Sequence, residues 1–328
     1  MVALRIAVAF AAAILLAGCA AHREPKISSP AEARELSERA LDQLDAGDAA
    51  AALKSLNRVI ALGGAQDSDY TRRAAAHGAL GQYDSALTDT DVALRLAPNE
   101  WRTHFQRSLL NQKLGRIDAA LTDLDHAIAL NVDDASLLRR RGYLTLVAGR
   151  FADAVTAYDQ LARVEAHSLA AATGRGVAFY VAGDWRAAAH EFDKLLTDIP
   201  EDAITALWFV KASLRAPYPV QWERFNVSRN GDPEWGLVQA LETSRDLEDI
   251  QKLVGALTTS TTRRGITPCE RALFMGEWRV IRLAGEGAAN AFEAALKACP
   301  TDSIERTQAK VELARLRSGW VGTNFNLR

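Results

Sequence analysis

The chain is poor in the residues that build most recognisable sites. Its 328 residues hold three cysteines, too few for a disulfide-dense scaffold, and none lies with histidine at zinc-ligand spacing. The six histidines, His22, His77, His104, His126, His167 and His190, form no His-Glu-x-x-His helix. No Gly-x-Ser-x-Gly elbow appears. Gly174-Arg175-Gly176 and Gly285-Glu286-Gly287 lack the context of a phosphate loop. We therefore expect no catalytic residue, no metal and no cofactor. A net charge of −2 supplies no electrostatic footprint for nucleic acid. Past the first 18 residues no apolar run approaches the roughly 20 residues that span a bilayer. Aromatics are only 7% of the chain, while Ala and Leu abound, which is a helical composition.

What the chain does have is a period. Gly81-Gln82-Tyr83-Asp84-Ser85-Ala86-Leu87 returns as Gly115-Arg116-Ile117-Asp118-Ala119-Ala120-Leu121. It returns again as Gly149-Arg150-Phe151-Ala152-Asp153-Ala154-Val155 and as Gly183-Asp184-Trp185-Arg186-Ala187-Ala188, with a fainter copy from Gly47. The spacing is 34 residues each time. Glycine suits the end of a first helix, where left-handed backbone is wanted. The small residue five positions on (Ala52, Ala86, Ala120, Ala154, Ala188) lets two helices approach closely. Leu56, Leu124, Tyr158 and Phe192 supply a bulky knob four residues later, and Pro98 and Pro200 stop second helices.

This pattern resembles the tetratricopeptide repeat, a helix–turn–helix of that length. The expected fold is all-α: a superhelical solenoid of antiparallel helix pairs with an irregular insert and a C-terminal capping helix. The array covers 31–216, as five repeats plus a sixth first helix. An aromatic, turn-rich insert with Tyr218, Trp222, Phe225 and Trp235 fills 217–268. A last repeat-like unit, marked by Gly276, Ala288, Phe292, Ala295 and Pro300, and a capping helix occupy 269–328. The resemblance also assigns surfaces. Positions two, five, nine and twelve of each first helix face a concave groove. Here these include Arg102, Phe105, Leu109, Arg139, Tyr143, Leu146, Val177 and Tyr180. Aromatics mixed with arginines suit an extended or helical peptide carrying carboxylates. A second ladder, Arg39, Arg73, Arg107, Arg141 and Arg175, faces second helices that carry Asp89, Asp123 and Glu191. We expect these arginines to be structural, in partly buried ion pairs. His77 and His104 take positions of core aromatics.

The start of the chain carries a second resemblance. Arg5, the apolar run Ile6–Leu16, and Leu16-Ala17-Gly18-Cys19 resemble a secretory signal ending in a bacterial lipobox. That implies removal of 1–18, acylation of Cys19 and a flexible tether over 19–30, with Ala20 pointing to the outer membrane, facing the periplasm. In that oxidising compartment Cys269 and Cys299 are either a disulfide across the last helix pair or two buried thiols. Lipobox and repeats together resemble NlpI-type lipoprotein adaptors, and the Cys269–Trp278 run is similar to tetratricopeptide lipoproteins of alphaproteobacterial type. The resemblance implies a non-enzymatic scaffold that binds envelope proteins, hydrolases or proteases among them, and allows a homodimer. An assembly factor of pilotin type, serving one secreted client, is the alternative. Mass spectrometry of the membrane-extracted protein should show an N-terminal Cys19 carrying acyl chains; an unmodified Met1 or Ala20 terminus would refute the anchor.

Overall fold

The computed structural model describes residues 30–216, 218–220, 235, 237–238, 241, 246–258, 266–282 and 285–319. The described residues form helices and connecting turns, with no strand among them. The chain divides into two compact units, Met1–Pro98 and Asn99–Arg328, where the sequence predicts one unbroken array. Pro98, with a fixed φ and no N–H, is the last residue of the first.

The first unit holds two helical hairpins, α1 (Pro30–Asp45) with α2 (Ala49–Ala61), and α3 (Asp67–Ala79) with α4 (Tyr83–Leu96). In the second unit the same hairpin recurs as α5 (Trp101–Lys113) with α6 (Ile117–Leu130), α7 (Ala135–Val147) with α8 (Phe151–Val164), and α9 (Leu169–Ala182) with α10 (Trp185–Asp198). α11 (Ala203–Arg215) follows as an unpaired first helix. Gly115 and Gly149 adopt φ of +71° and +75°, the left-handed turn that a residue with Cβ resists. Asp134, Ser168, Asp184 and Asp202 then cap the next helices through their side chains, each worth about 1 kcal/mol.

Packing follows the small-and-knob pattern. Ala120, Ala154 and Ala188 are fully buried, as are Leu124 and Phe192. Tyr158 lies so close to α7 and α9 that a Cβ on Gly142 would stand 2.6 Å from its ring, and one on Gly174 2.2 Å. One apolar core runs from Leu138 to Trp278 and takes in Phe209, Trp235, Leu241 and Ile250. The insert aromatics that fall on described residues are therefore structural. Trp235 is buried, and Tyr218 meets Phe209 edge-on and donates to Asp193 Oδ2 at 3.0 Å. Trp222 and Phe225 lie outside the described residues. α12 (Leu247–Thr258) returns the chain to helix.

The last hairpin, α13 (Pro268–Arg282) with α14 (Ala288–Ala298), repeats the motif with Gly276 beneath Phe292. Cys269 and Cys299 join its two ends in a disulfide, across a sequence separation of 30. α15 (Ile304–Arg317), expected to close an open end, packs against α14 and also reaches back to α7. Reducing the disulfide should lower stability by about 3–4 kcal/mol in the loop-entropy account. Melting curves with and without a reductant check this, and coincident curves would remove the cross-link from the energetics.

Candidate functional site

The arginine ladder resolves into ion pairs. Arg73 grips Asp89 with Nε at 2.8 Å and Nη2 at 2.6 Å. Arg107 does the same to Asp123, at 2.9 and 2.6 Å, and Arg175 to Glu191, at 3.0 and 2.6 Å. In each case the acid lies sixteen residues on, at one position of the second helix. A further contact reaches sixteen residues back: Arg73 to Asn57, Arg141 to Asp125, Arg175 to Asp159. Among the described residues Arg141 pairs only with this backward partner, because the forward position is Ala157. Arg39 faces Ser55 in sequence and is exposed. The ladder thus ties hairpins together rather than presenting a cationic stripe.

The concave positions divide along the length of the helices. Near the C-terminal ends, the twelfth-position residues Leu146 and Tyr180 are 1% and 0% exposed. Val177, at position nine, is also buried. These three are not available to a ligand, contrary to the sequence expectation, because they belong to the apolar core, where Tyr180 lies against Trp208 and Lys211 of α11 and bonds Glu277 of α13. Thr307 Oγ1 donates to the Val147 carbonyl at 2.9 Å, and Arg315 Nη2 to that of Val181 at 2.7 Å. Tyr143, half-buried, donates its hydroxyl to the Asp302 carbonyl at 2.8 Å, and Gln112 Nε2 donates to the Asp302 carboxylate at 3.1 Å. Towards the N-terminal ends the surface stays open. Arg102 is exposed and stacks on Trp101 at 4.6 Å. Phe105 and Leu109 are half-exposed. Arg139 is exposed and pairs with Glu165 at 3.2 Å.

Arg140 follows Arg139 on α7. It is half-buried, within electrostatic reach of Tyr143 and Asp302, and it makes no ion pair with a described residue. Burial therefore prevails and lowers its pKa, against weaker opposing pulls from Tyr143 and Asp302. Sequence reasoning passed over it, because two neighbouring arginines fitted the groove and ladder patterns and Arg140 fitted neither.

Beneath the covered half lies a buried charge cluster. Arg215 holds Glu312 with two bonds of 2.9 and 2.7 Å, and Arg315 Nη1 adds a third at 2.5 Å. Glu277 accepts from Tyr180 at 2.8 Å, from Lys211 at 2.9 Å, and from Gln308. Burial alone would raise the Glu312 carboxyl, but Arg215 and Arg315 outweigh it and hold its pKa below the ordinary value. Burial, then the Glu277 charge, drives the Tyr180 hydroxyl well up.

A solved tetratricopeptide repeat protein from Parabacteroides merdae ATCC 43184 is similar to this chain at 18% identity, covering 86% of this chain and 99% of that one, with a TM-score of 0.57. The fold is that of the tetratricopeptide repeat. YrrB, a tetratricopeptide protein with an unusual peptide-binding site, aligns over 56% of this chain and 92% of its own at 17% identity and a TM-score of 0.48. MamA from Desulfovibrio magneticus RS-1 aligns over 52% and 97%, at 19% and 0.48. No protein-family profile and no curated protein matches the sequence.

Two other polar clusters lie on these hairpins. His104, Asp123 and His126 bring their ligand atoms within 4.8 Å of one another. Asp123, however, accepts Arg107 on both oxygens and Asn111 Nδ2 at 2.9 Å, so its lone pairs are committed and a guanidinium stands where a cation would be repelled. In the first unit a cavity of about 640 Å³ opens between α1 and α3. Its polar lining is mutually satisfied: Ser37 bonds Asp69, Arg72 bonds Ser37 at 2.7 Å, and Asp69 caps the Gln66 N–H at 2.9 Å. Cys19 lies outside the described residues. Among the described residues no helix is long and apolar enough to cross a membrane.

Glu312 titrates lower folded than unfolded, so its contribution is present above the ordinary glutamate value of 4.5 and is lost as pH falls through its folded pKa. Glu312→Gln should therefore cost on the order of 3–5 kcal/mol at neutral pH, because it strands buried Arg215. Denaturation of both proteins across pH checks this: the gap should narrow steadily below pH 4.5, and a pH-independent gap would refute the ionised pair.

Proposed function

We propose that this chain is a non-catalytic scaffold, and that the open shelf of α5 and α7 binds a carboxylate-bearing segment of another protein. The single observation that carries this is Arg140, a half-buried guanidinium with no ion-pair partner among the described residues. It stands within electrostatic reach of Tyr143, and Phe105 and Leu109 of α5 are half-exposed. Desolvating a cation without a partner is costly. A ligand carboxylate would relieve that cost, so the cost is removed only in the complex. Trp101 and Phe105 supply aromatic anchors of the kind that dominate peptide interfaces, and Arg102 supplies an exposed charge at the rim.

The lipobox supports an anchored protein, with Cys19 acylated and the bound segment belonging to an envelope protein. Three acyl chains exceed the two signals that stable anchoring needs. The tether of about ten residues after Cys19 would reach at most roughly 35 Å. Hydrolases and proteases of the envelope are the partners that the adaptor resemblance favours.

Arg140→Met separates binding from folding. It removes an uncompensated charge, so the melting temperature should hold or rise, while capture of an acidic peptide library by the purified protein should fall at least ten-fold. A drop in melting temperature with capture unchanged would refute the shelf.

A further inference from the structure

We propose that the hairpin ends where each second helix closes and the next first helix opens form a docking edge for a basic, amphipathic segment of another protein. The large apolar side chains that the second unit exposes, among the described residues, are Leu130, Val132, Val164, Leu169 and Ile204, at 41–63%. All five belong to that one kind of end. Leu130 and Val164 close α6 and α8, Val132 lies in the link to α7, Leu169 opens α9, and Ile204 is the second residue of α11. Successive helices from α6 to α11 pack in chain order, so these side chains recur from hairpin to hairpin along one edge. The turns at the opposite ends, 114–116, 148–150 and 183–184, expose no large apolar residue. Surface apolar residues scattered singly carry no message, whereas those gathered at one place mark an interface.

The charge of that edge specifies the occupant. The three links, 131–134, 165–168 and 199–202, hold Asp133, Asp134, Glu165, Glu201 and Asp202 and no lysine or arginine. The opposite turns hold Arg116, Arg150 and Asp184, so acid and apolar surface coincide at one end only. Asp134 and Asp202 also cap α7 and α11, and Glu165 pairs with Arg139. The helix N-termini and that arginine offset part of their charge, while Asp133 and Glu201 are exposed. An anionic bilayer face repels such an edge, and an interfacial anchor carries lysine and arginine instead. Two copies set edge to edge bring like charges together. A segment with aliphatic side chains on one face and lysine or arginine beside them meets both features, burying apolar area while its cations approach the carboxylates. The edge and the shelf thus prefer opposite charges, and the edge stands whether or not Arg140 takes a carboxylate.

The test uses the purified full chain and a labelled amphipathic peptide of leucine and lysine, followed by fluorescence anisotropy. Val132→Ser, Leu169→Ser and Ile204→Ser together should weaken binding about ten-fold or more, since each removes an aliphatic anchor. The triple variant should keep a cooperative melt, because these side chains are about half or more exposed. Asp133→Asn with Glu201→Gln should weaken binding and flatten its dependence on salt. Leu80→Ser, at an exposed turn of the first unit, and Arg140→Met should leave binding unchanged, so failure of the edge and of the shelf are read separately. Unchanged binding by the triple variant, or an equal loss with Leu80→Ser, overturns the inference. So does a triple variant that loses only binding to phosphatidylglycerol vesicles, or only self-association in sedimentation, since these assign the edge to lipid or to a second copy. Should the triple variant fail to fold, a photo-crosslinking form of the peptide decides on the wild-type chain: labels should fall in 130–134, 164–169 and 198–204, and labels confined to other segments overturn it.

Discussion

The pairing of Arg215 with Glu312 is the constraint on which the second unit's working surface depends. It joins residues 97 apart in sequence, both nearly excluded from solvent. Taking two charges out of water is expensive, and the expense is recovered only when geometry and extra hydrogen bonds are both good. Here they are: a two-pronged guanidinium, a second arginine on the same carboxylate, and the neighbouring Tyr180–Glu277–Lys211 set. Such a cluster tolerates few registers. It therefore fixes where α15 lies along the concave helices more sharply than apolar packing would.

That placement divides one surface into two. Where the later helices pack, tyrosine and leucine that a repeat would offer to a ligand become interior. Elsewhere Arg102, Phe105 and Leu109 remain accessible, and Arg140 has no ion-pair partner among the described residues. The same helix family thus contributes a core, a covered groove and an open shelf, and the difference lies in position along each helix rather than in residue type. The ladder of Arg73, Arg107 and Arg175 lies apart from both, because the carboxylates of Asp89, Asp123 and Glu191 neutralise it inside the hairpins.

Local pattern was enough for the hairpins. The 34-residue period, the turn glycines, and the alanines four residues before Tyr158 and Phe192 act between neighbours in sequence, and the helices appear where those signals put them. The arginine–acid pairs at a sixteen-residue offset were legible for the same reason, as was the cystine across a single hairpin. Tyr180 was misread because its partners, Glu277 and Arg215, belong to other helices and no repeat rule refers to them. The position rule says which face a side chain takes. It does not say what else in the chain will come to lie on that face.

The sequence by itself determined an all-helical stack, its period, its ladder of ion pairs and the cysteines available to staple its last hairpin, since each of these is an interaction between residues a few turns apart. Tertiary structure alone decided that the last helix returns to the concave side. The energy that holds it there comes from charges and carbonyls distant in sequence, desolvated together, and such pairings leave no periodic mark on the chain.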